Sequence, residues 1–289
     1  RGAQVVRMLL VHGAGPRTPG TWEDDFTEGL RRGLTLAGLP FEWDDCAVRS
    51  ADYSEVLSDL WSWQQFVGDT TDTDEPEPDP PVLRCNCCTQ GWGWEQIGGL
   101  VRGIGTPGWT KRLVELGFDD IVAYAENATL RREVVHRVSQ QVLDFDPDVV
   151  IAHSFGAVII TDVLSEVIDR VSPTMIVTAG APLGREGLFS SSAEWLANRP
   201  DVVWLNLLDP SDVVTGGRGL GVSRFPGAMN IEVDNNFYAP IVGRGSGLNS
   251  EHKVIHYLTH PVTPRALARM QAAPYPTSHQ LRDLVITAP

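Results

Sequence analysis

The stretch DVVIAHSFGAVIITDVL, residues 148–164, constrains this chain more than any other. Val149, Val150, Ile151 and Ala152 form an apolar run without polar alternation, preceded by the turn-forming Asp146, Pro147 and Asp148. Such a run reads as a strand buried on both faces. From residue 155 to residue 168 apolar side chains occur all round a helical wheel, which predicts a central, buried helix. A strand covered twice and a helix covered on every side need layers above and below, so the chain must build a helix-covered sheet.

The same alternation extends along the sequence. Residues 5–13 (VVRMLLVHG) read as a first strand, and the loop GAGPRTPG follows. Trp22, Phe26, Leu30 and Leu34 recur every fourth residue, as on an amphipathic helix. A second strand is expected at 41–48, and Leu130, Val134, Val138 and Val142 mark another helix. Residues 174–184 predict a strand ending in a Gly/Pro loop, 187–198 a helical stretch, 201–214 a strand and loop, and 228–234 a last strand. Helices at about 251–258, 263–272 and 278–286 close the chain. Strands alternating with helices predict an α/β fold with a mainly parallel sheet and helices on both faces. Ligands of such sheets bind beyond the carboxyl ends of the strands, so functional residues are sought just after strands.

With 289 residues, 42% hydrophobic and 21% charged, the chain suits one domain, 1–289, carrying a sizeable insertion. The insertion is expected at 50–120. It holds Trp61, Trp63, Trp92, Trp94 and Trp109, and the Pro-rich acidic run GDTTDTDEPEPDPP at 68–81, which cannot bury a core and is expected to be disordered. Its QGWGWEQIGG segment reads either as a lid or aromatic-lined pocket, or as tryptophans packing the insertion together. The net charge of −14 argues against nucleic-acid binding, which needs a basic surface. No apolar run reaches the roughly 18 residues of a membrane span. No signal peptide is visible, so a cytoplasmic protein is expected, although the chain starts at Arg1 and a leader or further domain could precede it. Of the cysteines Cys46, Cys85, Cys87 and Cys88, the CNCC cluster lacks paired metal-ligand spacing and a nearby histidine. Free thiols or a local disulfide fit better, and no metal or cofactor is expected.

Ser154 lies on the turn between the buried strand and the central helix. Ala152 and Gly156 flank it two residues away on either side, in the A-x-S-x-G form of a nucleophile elbow, with His153 just before the serine. The alternative is a serine that only caps a helix. Serine is a weak nucleophile near neutral pH and needs a base, a group orienting that base, and donors for the oxyanion. The small-residue loop VHGAG, with His12 and Gly13, ends the first strand; the N–H groups of Ala14 and Phe155 are the expected oxyanion donors, and His12 organises the loop. WLNLLDPSDVVT supplies Asp209 and Asp212 as candidate acids. GRGSGLNSEHKVIHYLTHP supplies His252, His256 and His260; a glycine-rich loop leads into His252, as suits a base projecting inward, whereas His256 lies on a helix and His260 beside Pro261.

The segments LLVHGAG, VVIAHSFGAVIITDVL, IVTAGAPLG, WLNLLDPSDVV and EHKVIHYL together resemble the α/β-hydrolase superfamily, and within it bacterial lipase- or esterase-like members. The resemblance covers about two thirds of the chain and leaves out 50–120. It implies the α/β-hydrolase fold with a lid-like insertion. It implies Asp212 rather than Asp209 as the acid, and His252, a few residues before Tyr257 and Leu258, rather than His256 as the base. Ala152 and Phe155 depart from the commonest pattern; Phe155 would reshape the pocket. The expectation is a serine esterase acting on an acyl ester, apolar or lipid-like, through an acyl-enzyme. An amidase or peptidase using the same residues, and a non-catalytic binding or signalling module on the same fold, are the alternatives.

Overall fold

The computed structural model describes residues 5–13, 21–57, 119–184, 189, 191–212, 214–237, 252–272, 277, 279–281 and 283. Six strands form one sheet: β1 (Val6–Val11), β2 (Cys46–Ser50), β3 (Val149–His153), β4 (Met175–Ala179), β5 (Val203–Leu208) and β6 (Met229–Glu232). Their spatial order is β2-β1-β3-β4-β5-β6, and every neighbouring pair is parallel. Among the described residues, the named helices are α1 (Thr21–Ala37), α2 (Asp119–Glu126), α3 (Ala128–Phe145), α4 (Phe155–Val167), α5 (Val254–Thr259) and α6 (Val262–Ala272), beside shorter helical stretches.

Side chains of a strand alternate between its two faces. Leu9, Val11, Val150, Ala152, Ile176 and Trp204 join one buried cluster with α2, α3 and α4. Met8, Leu10, Ile151, Val177, Leu205 and Leu207 join a second cluster with α1, α5 and α6. Helices therefore cover the sheet on both faces, and the central strands β3, β4 and β5 are buried along their whole length for that reason. The helices on the first face are also tied by polar contacts: Asp162 of α4 accepts from Tyr124 of α2 at 2.7 Å and from Arg131 of α3 at 3.0 Å. A polar row crosses the sheet in register, Thr178 opposite Asn206 and Asn206 opposite Asn230. Thr178 donates to Asn206 at 2.9 Å, Asn206 donates to Asn230 at 3.0 Å, and the Trp204 indole donates to Thr178 at 3.1 Å. A slip of one residue would part the buried Thr178, Asn206 and Trp204 side chains from these partners, so the row supports the register of β4 against β5.

Two expected elements are in part 3₁₀ turns. The second strand starts at Cys46, because Trp43–Asp45 form a 3₁₀ turn. The Gln271 side chain takes both backbone groups of Glu42, at 2.9 and 2.6 Å, and so withdraws them from a sheet ladder. Within 187–198 the described structure is a 3₁₀ turn, Glu194–Asn198. The Ala193 N–H is taken by the Arg224 carbonyl at 2.8 Å, and Pro200 disfavours helical geometry at Arg199. The closing helix α5 begins at Val254, two residues beyond His252. Of 278–286 only 279–281 and 283 are described, all helical. Most of the expected insertion, 58–118, lies outside the described residues, with its acidic run 68–81, its five tryptophans and Cys85, Cys87 and Cys88. Its described beginning joins the main core: Ala51, Tyr53 and Leu57 pack in the cluster beneath α4.

The chain leaves β1 for β2 at one edge and returns to β3 on the other side of β1. The crevice at such a reversal, above the carboxyl ends of β1 and β3, is where an open parallel sheet receives ligands. His12 and Gly13 follow β1 there, and Ser154 follows β3.

Candidate functional site

Ser154 sits between β3 and α4 with φ 55° and ψ −127°, one of two described non-glycine residues at positive φ. A side chain in this region is strained, and the neighbours over-determine it. The Ser154 N–H continues the ladder to the Ala179 carbonyl at 2.9 Å, while its own carbonyl accepts the Ala157 N–H at 3.0 Å. Gly156 is required by close approach: a Cβ there would run into the His12 carbonyl and come within 2.5 Å of the Val11 carbonyl. The first turn of α4 thus packs directly on the end of β1. As the first helical residue, Phe155 has an N–H that no carbonyl within the helix can take.

Ser154 Oγ lies 2.9 Å from His252 Nε2, and His252 Nδ1 lies 2.7 Å from Asp212 Oδ2. The carboxylate can only accept, so Nδ1 carries the proton, and Nε2 is left to accept the serine hydroxyl. Asp212 is fully buried, with its side chain 0% exposed against 15% for His252. Its other oxygen accepts the Val214 N–H at 2.8 Å, and Oδ2 also accepts the Tyr257 hydroxyl at 2.7 Å. Burial first, then the charge and hydrogen bond of Asp212, hold the Tyr257 phenol well above its ordinary range, so it remains a donor.

The two candidate acids have separate surroundings. Asp209 points into its own loop: Oδ1 accepts from the N–H and hydroxyl of Ser211 at 2.7 and 2.5 Å, and Oδ2 accepts the Asn235 N–H at 2.8 Å. Asp212 alone reaches the imidazole. Among the candidate bases, His252 alone reaches the serine. His256 is fully buried within α5. His260 follows α5, and its Nδ1 accepts the Val262 N–H at 3.5 Å.

His153 is the other imidazole at the site. Its Nε2 donates to the His252 carbonyl at 2.7 Å, and the two rings stand 4.7 Å apart. Burial, reinforced by His252 and His12, holds His153 well below the ordinary imidazole range, so it is neutral with its proton on Nε2. His12 Nδ1 lies 3.0 Å from the Gly13 carbonyl. The hydroxyl of Tyr53 donates to the His12 carbonyl at 2.6 Å and is 3.2 Å from that of Gly13. Gly13 lies against the serine: a Cβ on it would come within 2.8 Å of Ser154 Cβ. Ala14 and the glycine-rich segment 243–251 lie outside the described residues.

The sequence assigns no role to three neighbours of the site. Tyr53 follows β2 in an unremarkable segment. Tyr257 stood out only as a landmark of the family resemblance. Gly180, just past β4, has φ +59°, and a Cβ there would come within 3.0 Å of His252 Nδ1 and 3.1 Å of the Tyr257 ring. The expected strand-then-Gly/Pro loop contained Gly180, but nothing in it pointed to the imidazole.

Among the described residues, no group of three or more His, Cys, Asp or Glu side chains is placed to hold a metal ion, and no helix is long and apolar enough to cross a membrane. No family model matches the chain, and neither a curated protein nor a solved structure matches it significantly.

Proposed function

We propose that this chain is a serine hydrolase of the α/β-hydrolase type that cleaves a carboxylic ester through an acyl-enzyme. One observation carries the reading: a serine held at positive φ on a strand-to-helix turn, its Oγ 2.9 Å from an imidazole whose far nitrogen is 2.7 Å from a buried carboxylate. A serine that only caps a helix has no use for that row. The parallel sheet with its order reversal beside β1 and the chain order Ser154, Asp212, His252 support the same reading.

In this mechanism Ser154 Oγ bonds to the acyl carbon as its proton passes to His252 Nε2. Negative charge moves to the carbonyl oxygen, where the Phe155 N–H receives it, with Ala14 as the expected second donor. The tetrahedral species collapses, the carbon–alkoxide bond breaks, and Nε2 returns the proton to the leaving alcohol. Water then attacks the acyl-enzyme, giving a proton to Nε2. The carbon–Oγ bond breaks, the acid departs, and Oγ recovers its proton. Asp212 keeps Nδ1 protonated throughout and stabilises the imidazolium. An ester is favoured over an amide because an alkoxide asks less of the proton-donation step. A lipid-like or other apolar acyl group is the favoured substrate class, from the tryptophan content of 50–120.

The test is labelling with a fluorophosphonate, which bonds to an activated serine with loss of fluoride, alongside a panel of ester and amide substrates. Wild type should be labelled and should hydrolyse esters. Ser154→Ala should lose both while remaining folded, with turnover down on the order of 10⁶-fold. An unlabelled wild-type chain, or a labelled Ser154→Ala variant, would overturn the proposal; hydrolysis of amides in preference to esters would move it to an amidase.

A further inference from the structure

We propose that Tyr257 is a positioning residue for the candidate site, acting through Asp212: its hydroxyl shares Asp212 Oδ2 with His252 and sets how strongly that carboxylate holds the imidazole. The inference rests on the hydrolase reading for its kinetic consequence, though the hydrogen-bonded arrangement stands without it.

The hydroxyl of Tyr257 has two bonds with opposite senses. It donates to Asp212 Oδ2 at 2.7 Å and accepts the Asp209 backbone N–H at 3.2 Å. The accepted N–H leaves the phenolic proton only one direction, toward Asp212. Oδ2 therefore accepts two strong donors, the Tyr257 hydroxyl and His252 Nδ1, while Oδ1 accepts the Val214 N–H. All of this lies in a buried environment, where hydrogen bonds polarise one another and are costly to leave unmade. A second donor on Oδ2 draws electron density from the oxygen facing His252, so the carboxylate accepts the Nδ1 proton less strongly. It also fixes the carboxylate plane, which a single backbone donor on Oδ1 does not.

The placement follows from the chain. Tyr257 stands on α5, the helix that begins two residues after His252. Its ring is fully buried against the second core cluster, so the hydroxyl is held from behind by packing. Gly180 leaves room for the ring edge beside the imidazole. The titratable groups facing the hydroxyl are Asp212 and Asp209 from the loop after β5, His252 before α5, and His153 from β3, whose ring is 6.4 Å from that of Tyr257. None but Asp212 accepts from it.

Tyr257→Phe removes one oxygen and keeps the packing. The Nδ1–H proton of the His252–Asp212 bond, observed by NMR without substrate, should move downfield as that bond strengthens. The low-pH limb of kcat/KM should move to higher pH, because a stronger acceptor stabilises the imidazolium. kcat should fall roughly 10- to 100-fold with KM unchanged, as for a misplaced base. A merely structural tyrosine would lower the yield or the melting temperature and leave resonance and limb where they were; that result overturns the assignment. Site-specific 3,5-difluorotyrosine at 257, a stronger donor of the same shape, should shift resonance and limb the opposite way, and it decides the question should Tyr257→Phe not fold. A wild-type chain that takes no fluorophosphonate, with the resonance still moving between variants, sinks the hydrolase reading and sustains the role of Tyr257.

Discussion

His153 Nε2 donates to the backbone carbonyl of His252 at 2.7 Å, so the residue immediately before Ser154 holds the residue that faces Ser154 across the site. The serine turn and the histidine loop are thereby fixed to each other by a bond separate from the Ser154–His252–Asp212 row. The bond needs a proton on His153 Nε2, and burial keeps the ring otherwise neutral.

That burial has a pH signature. The folded state holds His153 neutral well below its ordinary value, whereas the unfolded chain protonates it near pH ~6.5. Below that pH the unfolded state binds the additional proton, so stability is full above about 6.5 and falls as pH drops toward the folded-state value, by up to about 1.4 kcal/mol per pH unit from this group. His153→Gln, whose amide still donates, removes the titration. Denaturant unfolding at pH 7.5, 6.5 and 5.5 should show the stability gap between wild type and variant narrowing on acidification. His260, also lowered, mainly by burial, is common to both proteins and cancels. A constant gap would contradict a buried neutral His153.

Asp212→Asn and Asp209→Asn should separate chemistry from architecture. The first leaves an amide where the imidazole needs an acceptor, and a loss on the order of 10⁴-fold in kcat is expected with the fold retained. The second disturbs the Ser211 and Asn235 bonds, costs about 1–3 kcal/mol of stability, and leaves most of the activity in the folded fraction. Kinetics and unfolding on both variants give the ranking; its reversal would reassign the acid.

His252→Gln should abolish turnover and fluorophosphonate labelling. His256→Gln replaces a fully buried side chain inside α5, so it should lower the melting temperature while the folded fraction stays active. Equal inactivity of two well-folded variants would place α5 itself in the reaction.

Gly180→Ala adds a single methyl. It must adopt φ near +59° and stand within 3.0 Å of His252 Nδ1. The backbone conformation costs roughly 1–2 kcal/mol, and the imidazole is pushed off the line between Ser154 and Asp212. Labelling should slow at least tenfold, more than the stability loss explains, because misplacing a base by about 1 Å alone can cost on the order of 100-fold. Unchanged labelling would mean that the imidazole has room to spare.

The legible parts of the sequence were those whose reasons are local. The apolar run at 149–152, the wheel at 155–168 and the spacing of Leu130 to Val142 each reflect a covering layer, and β3, α4 and α3 follow from them within a residue or three. Asp209 and Asp212 were not separable on residue type alone. Their difference arises from Asn235, Val214 and Tyr257, which converge only through tertiary structure. The second strand was overextended because Gln271, more than two hundred residues away, takes up the backbone of Glu42. Tyr53 illustrates the same limit: a tyrosine in sequence becomes a clamp on the loop after β1 only once β1 and β2 are paired.

Pairing β1 with β3 brings Met8 opposite Val149, and the Ser154–His252 bond joins residues 98 positions apart. Closing such long loops has to precede any gain from the contacts they allow, which makes a wholly parallel sheet slow to assemble. The serine turn, the acid loop and the histidine each hang from a different crossover, so a half-assembled chain holds at most two of the three in place. A refolding chain should therefore regain its helical circular dichroism well before it can bond a fluorophosphonate. The probe that tests the chemistry thus also serves as a stopwatch for the last docking event of the sheet.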